Sequence, residues 1–102
     1  MKLYQLIYSQ YARDDLWRLF EFLAEFDEQL AETAIESIEA ALDAMRRYPM
    51  ICRMAQGKGF DPNWRELVIQ FGSSGYVALF EITGEQEVTV MAIKHQRESD
   101  YH

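Results

Sequence analysis

The chain has 102 residues, 49% of them hydrophobic and 14% aromatic, with a formal net charge of −7. That is enough apolar material for one core, since a chain of this size hides roughly 60 to 70% of its extended surface, and a single domain over residues 1–102 is expected. No run approaches the roughly 18 apolar residues of a membrane span, and the start MKLYQLIYSQ has no signal-peptide pattern, so a soluble, unprocessed, cytoplasmic protein with no membrane role is expected.

The charge is unevenly placed. Residues 1–45 carry Lys2, Arg13 and Arg18 against ten acids, whereas residues 46–102 carry seven bases and seven acids. A net acidic chain is a poor general footprint for nucleic acid, because phosphate binding needs a positive local field. The single Cys52 has no disulfide partner and no metal-ligand spacing to a histidine, which fits a reducing compartment and leaves no metal or cofactor expected.

In chain order, Lys2 to Ser9 is rich in aromatic and branched residues and predicts a strand buried on much of both faces. Ser9 precedes a helix in which Asp14 and Asp15 complement the positive end of the macrodipole, and Leu16, Leu19, Phe20, Leu23 and Phe26 form one stripe. A corner over 26–29, with Asp27 as N-cap, leads to a second helix marked by Leu30, Ala34, Ile35, Ile38, Ala41, Leu42 and Met45. It should end near Tyr48, ahead of Pro49, with Arg46 and Arg47 in its last turn. Residues 50–63 read as a loop broken by Gly57, Gly59 and Pro62 and charged by Arg53 and Lys58.

Three strands follow, at 64–71, 76–83 and 87–95, joined by turns at 72–75 and 84–86 that make them an antiparallel meander. The order β-α-α-β-β-β predicts an α+β fold, with an antiparallel helical hairpin packed on one face of a mainly antiparallel sheet.

Standard chemistry is missing. Gly57-Lys58-Gly59 is no phosphate loop, and neither His95 nor His102 marks a base for a serine nucleophile. The string Lys94-His95-Gln96-Arg97 through Tyr101 offers groups able to hold phosphate, move a proton and stack a base. From spacing alone, a solvated chain end with Tyr101 folded back on the sheet is the stronger reading.

Five segments together resemble the RelE/ParE toxin superfamily of type II toxin-antitoxin systems, which includes plasmid stabilisation proteins. They are Ala12-Arg13-Asp14-Asp15-Leu16, Arg47-Tyr48-Pro49, Trp64-Arg65-Glu66-Leu67, the strand Tyr76 to Ile82, and the ending Ile93 to Tyr101. The resemblance implies a compact toxin neutralised by an antitoxin that wraps the hairpin and sheet, with self-association of the free chain as a further expectation. RelE-like members are ribosome-dependent mRNA endoribonucleases, which would give Arg65 and Arg97 to the phosphate and His95 or Tyr101 to proton transfer. ParE-like members are binding proteins that poison DNA gyrase. Val77 is the departure: the family commonly has an arginine after this strand's tyrosine, part of the active site in ribonuclease members. That absence and the acidic charge favour a ParE-like, non-enzymatic binder, with the nuclease and an inactive member as alternatives. Leu19, Phe22, Phe26, Arg53 and Lys94 are the candidate target or antitoxin contacts.

Overall fold

A computed structural model describes residues 3–57 and 59–101; Lys2, Lys58 and His102, which entered the charge and motif reading, lie outside the described residues. The elements are β1 (Gln5–Tyr8), α1 (Gln10–Ala24), α2 (Glu28–Met45), a single 3-10 turn (Pro49–Ile51), β2 (Arg53–Met54), β3 (Trp64–Phe71), β4 (Ser74–Gly84) and β5 (Glu87–His95). The sheet order is β1-β5-β4-β3-β2, with β1 parallel to β5 and the other pairs antiparallel. The fold is α+β, as the element order predicts.

Local chemistry sets the helix ends. The Ser9 hydroxyl accepts from the Ala12 N–H at 3.1 Å and donates to the Met91 carbonyl at 3.0 Å, so one side chain starts α1 and ties it to β5. Asp27 accepts from Gln29 N–H at 3.0 Å and Leu30 N–H at 3.2 Å and starts α2. With three residues between them, the helices must fold back antiparallel. α2 stops at Met45, three residues before the expected end. Arg46 is its C-cap and is drawn out of the helix, with Nε on the Tyr4 carbonyl at 2.6 Å and Nη1 on Asp43 at 2.9 Å. Arg46 therefore joins the helix end to the strip entering β1.

The hairpin covers one face of the sheet. Ala34, Ile38, Leu42 and Met45 of α2 and Ala12 and Leu19 of α1 pack on Ile69, Tyr76, Ala78, Phe80, Val88, Val90 and Ile93. Each fully buried large side chain, such as Phe80, Ile38 or Leu42, contributes about 1.5 to 3 kcal/mol by leaving water. At Gly75 any Cβ would lie 1.9 Å from the Ile69 carbonyl oxygen, so only glycine lets β4 approach β3 at this rung.

Four expectations are corrected. The 50–63 segment is not all loop, because it holds the 3-10 turn and β2, which pairs Arg53 with Glu66 and Met54 with Arg65. The hairpin turns are shorter than expected: β4 runs from Ser74 to Gly84, leaving Gly72–Ser73, with Gly72 at φ 62°, and 85–86 as the turns. Leu30 is exposed while Ala31 is buried, so the core stripe of α2 starts one residue later. Asp14 and Asp15 lie beyond the first turn, and Asp15 is buried. Its Oδ2 accepts the Ile93 N–H at 2.8 Å and its Oδ1 meets Arg18 at 3.4 Å, making it a bolt between α1 and β5 rather than a dipole charge. Among the described residues, no helix is long and apolar enough to cross a membrane.

Candidate functional site

Side chains alternate across a strand, and that alternation separates the chemically interesting residues. In one set of rungs Ile69, Tyr76 and His95 share the helix-covered face; in the next, Val68, Val77 and Lys94 share the opposite, open face, with Glu66 two residues back along β3. Lys94 and His95, neighbours in sequence, therefore serve different surfaces.

On the open face, Glu66 is 5% exposed and is the hub. Its Oε1 accepts from Arg53 Nε at 3.0 Å and its Oε2 accepts from the Tyr101 hydroxyl at 2.6 Å. Tyr101 also packs against Phe60, with ring centroids 6.2 Å apart, and Phe60 packs on Trp64 at 5.5 Å. Lys94 Nζ stands 5.0 Å from the Tyr101 ring centroid and donates to the Glu98 carbonyl at 3.2 Å. Burial, the hydrogen bond to Glu66 and the Glu66 charge push the Tyr101 phenol well above the usual tyrosine range, against a smaller opposing effect of Arg53. At neutral pH the phenol keeps its proton and points it at Glu66. The arrangement fastens the C-terminal strap over the sheet and gives Tyr101 no basic character.

On the helix-covered side, a pocket of about 530 Å³ opens between α1 and the ends of β3 to β5, lined by Arg18, Phe22, Phe71, Tyr76, His95 and Arg97 among others. Leu19 also lines it, but as a core residue only 6% exposed. Phe22 and Phe26 are 63% and 74% exposed and meet edge to face at 5.7 Å, so both present ring surface to solvent. His95 stands edge-on to Tyr76, with centroids 5.4 Å apart. Its Nδ1 accepts the Arg97 backbone N–H at 3.1 Å, so the neutral ring carries its proton on Nε2, which faces the Ser74 hydroxyl at 3.1 Å. An imidazole in that tautomer donates to Ser74 and does not activate it as a nucleophile. Arg18 completes the wall, with Nη1 on Glu98 at 3.0 Å and Nη2 on the Ile93 carbonyl at 3.3 Å.

Arg65 stands apart. Its Nη1 donates to the Cys52 carbonyl at 2.8 Å, and it opposes Phe80, four residues along β4 from the Tyr76–His95 rung, or about 13 Å at the strand rise. Burial pushes the Cys52 thiol up against a lowering effect of Arg65, so no ready thiolate lies there. The fold thus brings His95 and Arg97 to one pocket, Arg53, Lys94 and Tyr101 to the opposite face, and Arg65 to neither. Sequence reasoning passed over Glu66, Arg18 and Glu98 and took Asp15 for a dipole charge, because their partners are mostly distant in the chain and leave no local pattern. Among the described residues, no group of three or more His, Cys, Asp or Glu side chains is placed to hold a metal ion.

A helical hairpin on one face of a meander sheet is an architecture that other solved proteins share. The chromosomal ParDE toxin-antitoxin system from P. aeruginosa matches it with a TM-score of 0.75 at 16% identity, over 91% of this chain and 96% of that one. The toxin-antitoxin complex RelBE2 from Mycobacterium tuberculosis matches with a TM-score of 0.61 at 18% identity, over 93% and 100%. A mutant of E. coli toxin RelE in the free state gives 0.59 at 18% identity, over 96% and 88%. At these identities the likeness is one of fold. Sequence carries it further. Residues 6–100 match the family described as ParE toxin of type II toxin-antitoxin system, parDE. Toxin RelE1 of Caulobacter vibrioides is 33% identical over 92 residues, 90% of this chain and 92% of that protein. The chain belongs to the ParE toxin family, within the RelE/ParE superfamily, and is a toxin of the type II toxin-antitoxin class.

Proposed function

We propose that this toxin is a single-domain cytoplasmic protein that acts by binding and disabling a target of the DNA gyrase kind, and that a cognate antitoxin neutralises it. The observation that carries this reading is the dispersal of the hydrolytic candidates. A ribonuclease needs its phosphate-holding cations and its proton donor and acceptor within hydrogen-bond reach of one scissile bond. Here Arg65 lies about 13 Å along the sheet from the His95 rung, and Tyr101 lies on the opposite face with its proton held by Glu66.

Val77 supports the same reading. It is buried on the open face opposite Val68 and Lys94, at the position where the resembled family commonly has an arginine. Loss of one preorganised cationic contact to a transition state costs about 3 kcal/mol. The net charge of −7 further slows approach to the phosphate-rich ribosome. The test is a titration of the purified chain into a gyrase supercoiling reaction. Inhibition that is relieved by the antitoxin encoded beside the toxin is expected, and undiminished supercoiling at excess toxin rejects the reading.

One observation favours a second reading as a nuclease: His95 with a proton on Nε2, Arg97 and Arg18 surround one pocket. In that reading His95 gives up its Nε2 proton as the imidazolium, which requires the contact of Nδ1 with the Arg97 N–H to open, and the His95→Gln variant loses cleavage of ribosome-bound mRNA.

A further inference from the structure

The pocket beside His95 pairs apolar walls with a single uncommitted cation. Its volume of about 530 Å³ falls within the range of small-molecule sites, roughly 300 to 1,000 Å³. Leu19, Leu23 and the rings of Phe22, Phe71 and Tyr76 form much of the wall. Tyr76 tilts against Phe71, with centroids 6.1 Å apart, and meets His95 edge-on at 5.4 Å, so the strand side of the pocket is built of linked flat rings. Phe22 of α1, 63% exposed, adds ring surface from the helix side.

Arg18, Arg97 and Glu98 are the charged residues of the same wall, and they differ in what they already hold. Arg18 is committed to protein acceptors, with Nη1 on Glu98 and Nη2 on Asp15 and the Ile93 carbonyl. Glu98 also accepts the His95 backbone N–H through Oε1 at 2.8 Å. Arg97 is exposed, and only its backbone N–H is spent, on His95 Nδ1. Its guanidinium makes no ion pair or hydrogen bond among the described residues. Two positive charges and one negative leave this wall at +1, in a chain whose net charge is −7.

The charge and the rings together select the occupant. A guanidinium presents a planar fork of donors that matches one carboxylate bidentately. A phosphate ester carries nearly two charges at neutral pH and would face Glu98 in the same wall, whereas a monoanion is matched by the free charge of Arg97. An uncharged ligand would cover the rings and leave Arg97 unused. We infer that this pocket binds a small, flat aromatic monocarboxylate, its ring against Phe22, Phe71 and Tyr76 and its carboxylate on Arg97.

The probe is 2-naphthoate, with 2-naphthamide as its neutral twin and 2-naphthyl phosphate as its dianionic one. Binding to the whole chain is followed by calorimetry and by shifts of the backbone amide signals in NMR. Naphthoate binds and moves the amides of Phe22, Tyr76 and Arg97, and each twin binds about tenfold more weakly. Arg97→Ala weakens naphthoate about tenfold and leaves naphthamide unchanged, which tells loss of the carboxylate contact from loss of the fold. Phe22→Ala weakens naphthoate and naphthamide alike, by about fivefold. Trp17→Ala, which removes an equally exposed aromatic of α1 that does not line the pocket, changes neither. Equal affinity for naphthoate and naphthamide, tighter binding of the phosphate ester, full affinity in Arg97→Ala, or no binding of naphthoate overturns the inference. The gyrase reading is untouched by any of these results, because it rests on other residues; tighter binding of the phosphate ester would favour the nuclease reading instead.

Discussion

Replacing Tyr101 by phenylalanine separates a strap from a catalytic base. The change removes one oxygen and leaves the ring against Phe60 and beneath Lys94. What it takes away is the 2.6 Å donation to Glu66 Oε2, and Glu66 is nearly inaccessible, so water does not replace the lost donor. A hydrogen bond to a charged group is worth about 1.5 to 3 kcal/mol, and a chain of this size loses roughly 4 to 8 °C per kcal/mol. Tyr101→Phe should therefore lower the melting temperature by roughly 6 to 24 °C, with an unchanged denaturant m-value, and the folded variant should remain toxic. Urea unfolding of the wild type, Tyr101→Phe, Glu66→Gln and the double variant gives the coupling energy, expected at about 1 kcal/mol or more. A loss below about 0.5 kcal/mol, or abolished toxicity in a fully stable variant, would refute the reasoning.

Three further outcomes follow from the same geometry. The Tyr101 phenol is pushed up on folding, so its contribution is fully present below the unfolded tyrosine pKa of about 10 and is lost as pH rises above that value. Alkaline unfolding should set in there, and the Tyr101→Phe variant should show a shallower alkaline limb in a pH series of urea midpoints. Asp15→Ala leaves the buried Ile93 N–H without an acceptor and should cost about 1 to 3 kcal/mol, whereas Asp15→Asn, which keeps a carbonyl acceptor, should cost less; equal losses in the two contradict the role of Asp15 as a bolt. Gly75→Ala places a Cβ 1.9 Å from the Ile69 carbonyl oxygen and should cost about 3 kcal/mol or more by forcing β3 and β4 apart, measurable as a lowered melting temperature.

The hairpin and the meander were legible because their signals are local. Ser9 and Asp27 cap their helices through neighbours two or three residues away, and β3 and β5 have the bounds that their apolar runs suggested. The short β2 was not legible, since a two-residue strand has no periodicity and exists only because Arg53 and Met54 meet β3. Buried acids were misread for a related reason. Asp15 sits among surface acids in sequence, yet its partner Ile93 is 78 residues away, and Glu66 finds Tyr101 35 residues on. The candidate site was legible as a set of residue types but not as a place. Period-two alternation put Lys94 and His95 on opposite faces, and the strap then carried Tyr101 to Glu66 on the open face.

The most direct test of the central claim is induction of the toxin in bacteria, followed soon afterwards by parallel measurement of plasmid supercoiling and breakage and of the integrity of translated mRNA. The dispersed groups and buried Val77 predict gyrase-dependent loss of supercoiling or DNA breakage with intact mRNA. Codon-level cuts in mRNA with undamaged, normally supercoiled plasmid would contradict it.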